Sequence, residues 1–170
     1  MCGIAGKIYF SQNRVLENDI EKIALVERNK GTGEVKVELV HGFGFNATCA
    51  VGTTVAHDSH HMIVVGTSET DMAKAANQLA KMGGGQIVVR RGEVIGKVDL
   101  PIGGLMSNER ADIVAEKAAS IIEGFKACGG KLINPNMQFS ELALVAIPEL
   151  RLSDLGLVDV NRFELIPVLE

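Results

Sequence analysis

The chain has 170 residues, 46% of them apolar and 22% charged, and a formal net charge of −4. That is enough apolar material for one domain with its own core, so neither disulfides nor a structural metal are required for stability. Seventeen basic residues are interspersed among twenty-one acidic ones, and six Phe, one Tyr and no Trp supply few stacking rings. This excludes a nucleic-acid surface of the usual kind, which needs a basic stripe with aromatic rings. No apolar run is long enough to span a bilayer, and no secretory segment leads the chain. Cys2, Cys49 and Cys128 are odd in number and far apart, so a cytoplasmic protein with reduced thiols is expected.

In chain order, residues 4–10 and 23–28 read as strands. The second is followed by the glycine-rich turn Lys30-Gly31-Thr32-Gly33-Glu34 and by residues 35–39, which alternate apolar and polar. Period-two alternation on either side of such a turn predicts a hairpin. Residues 47–55 are small and apolar and predict a buried strand, and residues 62–65 predict another. Thr67 or Ser68 then caps a helix to residue 82, with Met72, Ala75, Ala76, Leu79 and Met82 on one face. Glu69 and Asp71 suit the positive end of its dipole, and Gly83-Gly84-Gly85 ends it. Residues 86–91 and 94–98 predict a second hairpin about Gly92-Glu93. A longer helix is expected from Ser107 to Ala127, with Ala111, Val114, Ala115, Ala118, Ile122 and Phe125 facing the core. Residues 139–147 suit helix or strand, and residues 163–168 read as a closing strand. Hairpins with two main amphipathic helices predict one α+β domain over residues 1–170, built on a largely antiparallel or mixed sheet.

Chemistry-bearing residues concentrate in Ala56-His57-Asp58-Ser59-His60-His61, which holds three of the four histidines. Neutral imidazoles and a carboxylate are ligands that Zn, Fe and Mn accept, so His57, Asp58, His60 and His61 are candidate metal ligands. The same polar types after a strand also form turns that satisfy the backbone, which is the plainer reading. The glycine clusters carry no phosphate motif: Gly83-Gly84-Gly85 follows a helix, and Gly42-Phe43-Gly44 lacks a following one. A Gly-x-Ser-x-Gly elbow and a Pro-Cys-x-x-Cys deaminase signature are both missing. At the start, Cys2-Gly3-Ile4-Ala5-Gly6 resembles the opening of class II glutamine amidotransferases, whose exposed cysteine is the nucleophile. The likeness stops there, because that family's Arg-Gly-Pro-Asp, Gly-His-x-Arg and Asn-Gly stretches are missing.

A second resemblance organises the rest. It is carried by residues 22–28 with Gly31-Thr32-Gly33, by Gly42-Phe43-Gly44, by Ala56-His57-Asp58-Ser59-His60 and by Val64-Val65-Gly66-Thr67. Gly83-Gly84-Gly85, Leu100-Pro101-Ile102-Gly103-Gly104-Leu105-Met106-Ser107, Ile147-Pro148-Glu149-Leu150 and Gly156-Leu157-Val158-Asp159-Val160 continue it. In this order and spacing, from about residue 20 to the end, the chain resembles the C-terminal domain of adenine deaminase. The resemblance implies a part in hydrolytic deamination of adenine to hypoxanthine and ammonia. It also implies that the metal-activated water belongs to an amidohydrolase barrel, which this chain has no room for. His57, Asp58 and His60 are then expected to border or support that active site, as candidate catalytic residues without an assigned role. That family usually has Asn where this chain has His61, a departure that adds a potential ligand. The expected partners are a barrel domain or subunit and further copies of the chain, with no nucleic acid and no membrane. No cofactor is required by the residues themselves; a divalent Mn, Fe or Zn ion is the candidate. Two other readings remain open at this point: a non-catalytic oligomerisation domain, and an independent metal-dependent hydrolase centred on residues 57–61.

Overall fold

Strand Ile20–Val26 (β2) places Ile23 and Leu25 on one side and Ala24 and Val26 on the other, and Val35–His41 (β3) returns beside it in register Val26↔Val35 to Ile20↔His41. Alternation of this kind suits a sheet whose two faces are both in use. The computed structural model, which describes residues 3–4 and 19–167, extends that hairpin into a seven-stranded sheet. Its other strands are Gly3–Ile4 (β1), Cys49–Thr53 (β4), Met62–Gly66 (β5), Gly85–Arg90 (β6) and Glu93–Asp99 (β7), in the order β1-β3-β2-β5-β4-β6-β7. Every neighbouring pair is antiparallel.

Helix Glu69–Met82 (α1) covers one face of β4, β5 and β6. Ser68 caps it by accepting the Asp71 N–H, and Gly83 ends it at φ 77°, where a side chain would be strained. Met72, Ala75 and Leu79 pack there on Ala50, Met62, Val64, Ile87 and Val89. The opposite face carries the larger core. Helix Ala111–Ala127 (α2) lies on β6 and β7, so close that a Cβ on Gly96 would sit 2.6 Å from the Ser120 carbonyl oxygen. Beside it stand helix Pro135–Ser140 (α3), a 3-10 turn at Glu141–Ala143, and a small antiparallel sheet of Leu150–Ser153 (β8), Gly156–Asp159 (β9) and Glu164–Leu165 (β10). Phe43, Phe45, Phe125 and Phe139 meet in this layer in tilted and edge-on pairs. The result is the α+β class read from the sequence. Among the described residues no helix is long and apolar enough to cross a membrane.

Several boundaries and faces differ from expectation. Helix α2 starts at Ala111, not Ser107, because Ile102 and Met106 pair backbone to backbone and hold the chain in a tight turn until residue 106. Ser107 instead accepts the Glu109 N–H inside the following bend. The buried arc of α2 runs through Val114, Ala118, Ile121 and Phe125, which leaves Ala111, Ala115 and Ile122 in solvent. Residues 139–147 form neither one helix nor one strand: they finish α3, make the 3-10 turn and then run irregularly. In the closing segment only Glu164–Leu165 pairs, and Phe163 is exposed at φ 53°. Of the expected strand 4–10 only Ile4 is among the described residues, paired within Gly3–Ile4; residues 5–10 and Cys2 lie outside them, as does Val168.

Candidate functional site

The histidine segment joins β4 to β5 and lies where β2 ends, so three chain segments converge at one end of the central strands. His57 is half-buried, with Nδ1 3.1 Å from Ser140 Oγ at the end of α3. Ser140 Oγ donates its proton to the Met137 carbonyl oxygen at 2.9 Å. A hydroxyl has one proton, so His57 Nδ1–H donates to it. Ser140 is fully buried and committed in this way, which makes it an anchor and not a nucleophile.

His60 sits at φ 51°, its N–H donating to the Ala56 carbonyl at 2.7 Å. That left-handed residue reverses the chain and brings the His57 and His60 rings to 5.5 Å. Burial, then the neighbouring His57 and Arg28, lowers the His60 pKa against an opposing pull from Asp58, so the ring is neutral near pH 7. Its Nδ1 is buried without a hydrogen-bond partner. Asp58 and Ser59 are exposed, and the Ser59 carbonyl accepts Asn29 Nδ2 at 2.7 Å.

His61 turns away from these. Its ring is buried, 3.7 Å from Glu27 Oε1 through Nδ1 and 3.9 Å from Asp154 Oδ2 through Nε2. Glu27 is held by the Lys30 N–H at 2.7 Å, the Thr32 N–H at 3.0 Å and Thr32 Oγ1 at 2.8 Å. The Lys30 bond is the largest cause of a carboxyl pKa held down to about 2, with Thr32 adding and burial opposing. Asp154, in the β8–β9 turn, also lies 3.6 Å from Lys30 Nζ, so this cluster ties the small sheet to the large one.

Arg28 links the loops. Nε donates to the His60 carbonyl at 2.6 Å and Nη2 to the Gly103 carbonyl at 2.8 Å. Its guanidinium lies over Gly104, where a Cβ would stand 2.7 Å from Nη2. Thr54, itself buried, donates through Oγ1 to the Gly104 carbonyl at 2.6 Å and accepts the Gly85 N–H at 2.8 Å.

The sequence candidates are therefore divided. His57 and His60 come together, Asp58 stays in solvent beside them, and His61 belongs to a separate polar cluster with Glu27 and Asp154. No three His, Cys, Asp or Glu side chains among the described residues form a group that could hold a metal. The donors among the described residues thus do not fit a resident ion. Cys49 and Cys128 are buried free thiols, and contact with Cys128 followed by burial drives the Cys49 pKa up, away from the reactive thiolate. Glu27, Arg28, Thr54, Ser140 and Asp154 were not among the sequence candidates. Glu27 alone left a signal: it ends the alternation Ile23-x-Leu25-x-Glu27, a charge where an apolar residue belongs.

The family model for the adenine deaminase C-terminal domain matches residues 7–164. The chain belongs to that family. Adenine deaminase 3 of Rhizobium meliloti (strain 1021) is 57% identical over 147 residues, 86% of this chain and 25% of its own length. The adenine deaminase of Ruegeria sp. (strain TM1040) is 56% identical over 154 residues, covering 91% of this chain and 26% of its own. That of Moorella thermoacetica (strain ATCC 39073 / JCM 9320) is 43% identical over 154 residues, again 91% and 26%. The chain spans about a quarter of the length of these relatives. The loop His57–His60 and its supports are thus part of a domain that, in the relatives, accompanies a much longer polypeptide.

Proposed function

We propose that this domain serves the hydrolytic deamination of adenine to hypoxanthine and ammonia, and does so only together with a metal-bearing barrel. The observation that carries this is the coverage: the domain matches adenine deaminases over most of its own length and about a quarter of theirs. The site geometry agrees. The described residues offer imidazoles, an arginine and backbone carbonyls, but no metal-holding group of three and no activated nucleophile. A metal in the barrel would supply the activation of water that the reaction needs. The part left to this chain is to border the site with His57, Asp58 and His60. His57 is oriented through Ser140, and His60 is kept uncharged by its surroundings.

The test is reconstitution. The purified chain is mixed with adenine, alone and with the remaining three quarters of the Rhizobium meliloti relative produced as a separate polypeptide, and hypoxanthine and ammonia are measured. The expected outcome is no product from the chain alone and more product from the mixture than from the larger piece by itself. A reconstituted mixture that forms no hypoxanthine refutes the reading.

A further inference from the structure

At the end of the sheet where Arg28 stands, residues 101–106 present three apolar side chains to solvent: Ile102 is 48% exposed, Leu105 38% and Met106 60%. Such a tip in a free surface loop would be expected to be mobile, but this one is tied at every turn. Ile102 and Met106 exchange backbone hydrogen bonds at 3.1 and 3.2 Å, Gly103 is held by Arg28, and Gly104 by Thr54. An apolar surface fixed in advance loses little freedom on binding.

Beside it is an uncompensated charge. The partly buried Arg28 guanidinium donates to two carbonyls and has no carboxylate partner among the described residues. Glu27, next in sequence, points to the other side of the strand and is occupied by Lys30 and Thr32. Removing a cation from water without an anion is costly, and an acidic group brought by a partner would offset that cost. Another exposed apolar pair, Val35 and Val37 on β3, has no such companion: on that face the nearby Lys22 is already paired with Glu69. Arginine beside large apolar side chains is also the composition of interface anchors.

We infer that the end of the domain formed by Arg28, His60 and residues 101–106 docks onto the remaining three quarters of an adenine deaminase chain. That partner contributes an acidic side chain to Arg28 and an apolar pocket to Ile102, Leu105 and Met106. The inference rests on the preceding reading that the domain works with that longer partner, and it names the surface used. It also explains why the histidine loop sits there, since docking at Arg28 brings His57 and His60 to the boundary.

The experiment measures the dissociation constant between this chain and the separately produced larger piece of the Rhizobium meliloti relative, by calorimetry. The doubly substituted I102E/M106E chain changes exposed side chains and should fold as the wild type does, which circular dichroism checks. It is expected to bind about tenfold or more weakly, the scale of losing an interfacial anchor. I133E makes the same change at the exposed Ile133, which lies near Lys131 at the opposite end of β2, and should leave binding unchanged. Rising NaCl should weaken the wild type more than R28Q. If the wild type binds and I102E/M106E binds equally well, the docking surface is wrong while the shared function stands. If the wild type does not bind at all, both readings fall.

Discussion

Replacing Thr54 by Val removes one hydroxyl and leaves the shape of the side chain nearly unchanged. The hydroxyl is the joint between the end of β4, the start of β6 and the apolar loop. It donates to the Gly104 carbonyl at 2.6 Å and accepts the Gly85 N–H at 2.8 Å, with Thr54 only 1% exposed. Gly85 and Gly104 are buried too, so water cannot replace the lost partner at either atom. Each buried group left without a partner costs about 1–3 kcal/mol, and the added methyl returns a fraction of that, so T54V should lose roughly 2–4 kcal/mol. For a domain of this size that is a fall in Tm of roughly 4–16 °C. The assay is urea unfolding followed by far-ultraviolet circular dichroism, since the chain has no Trp. The midpoint should fall at unchanged slope. T54S keeps the hydroxyl and should lose much less. T54V as stable as the wild type, or T54S as damaging as T54V, would refute the assignment of the joint to the hydroxyl.

Three further outcomes follow from the same geometry. Glu21 is buried near Asp19, and burial first, then the Asp19 charge, raises its carboxyl pKa from 4.5 to about 8. A raised folded pKa means that the associated stability is complete below about pH 4.5 and is lost as pH climbs through about 8. E21Q should therefore gain on the wild type between about pH 4.5 and pH 8 in thermal unfolding, and parallel profiles would contradict this. Glu27 has the opposite sign: with its carboxyl at about 2, its contribution is present above about pH 4.5 and lost as pH falls towards 2. Acidification should lower the Tm of the wild type more than that of E27Q; an equal fall would show that Glu27 is not the group responsible. Leu79 is fully buried between α1 and the sheet, so L79A should cost about 2–5 kcal/mol in chemical denaturation, and a loss well below that would mean the site collapses around the cavity.

What could be read in the chain and what could not divide along a physical line. The β2–β3 hairpin, α1 with its Ser68 cap and Gly83 stop, and the β6–β7 hairpin follow local rules. Alternation and capping act within a few residues, and the residues there have no competing preference. Helix α2 kept its C-terminal end at Ala127 and lost its first turn, because the Ile102–Met106 pairing is a constraint that no single residue announces. Its face shifted by one position, to Ile121 from Ile122, since both are equally apolar and only the packing against β6 and β7 selects between them.

The histidine segment shows the same division at the level of function. Residue types alone determined that this is the polar centre of the chain, and the motif order determined the family. Tertiary structure decided which side chains meet. His61 precedes β5 and falls in step with Ile63 and Val65, and Glu27 falls in step with Ile23 and Leu25 on the strand paired with it. Period-two geometry therefore sends His61 inward to Glu27, while the left-handed turn at His60 sends that ring back towards His57. Adjacent in sequence, His60 and His61 serve different clusters. Arg28 and Thr54 owe their roles to loops brought in from seventy-five and fifty residues away, a proximity that no local pattern in the chain encodes.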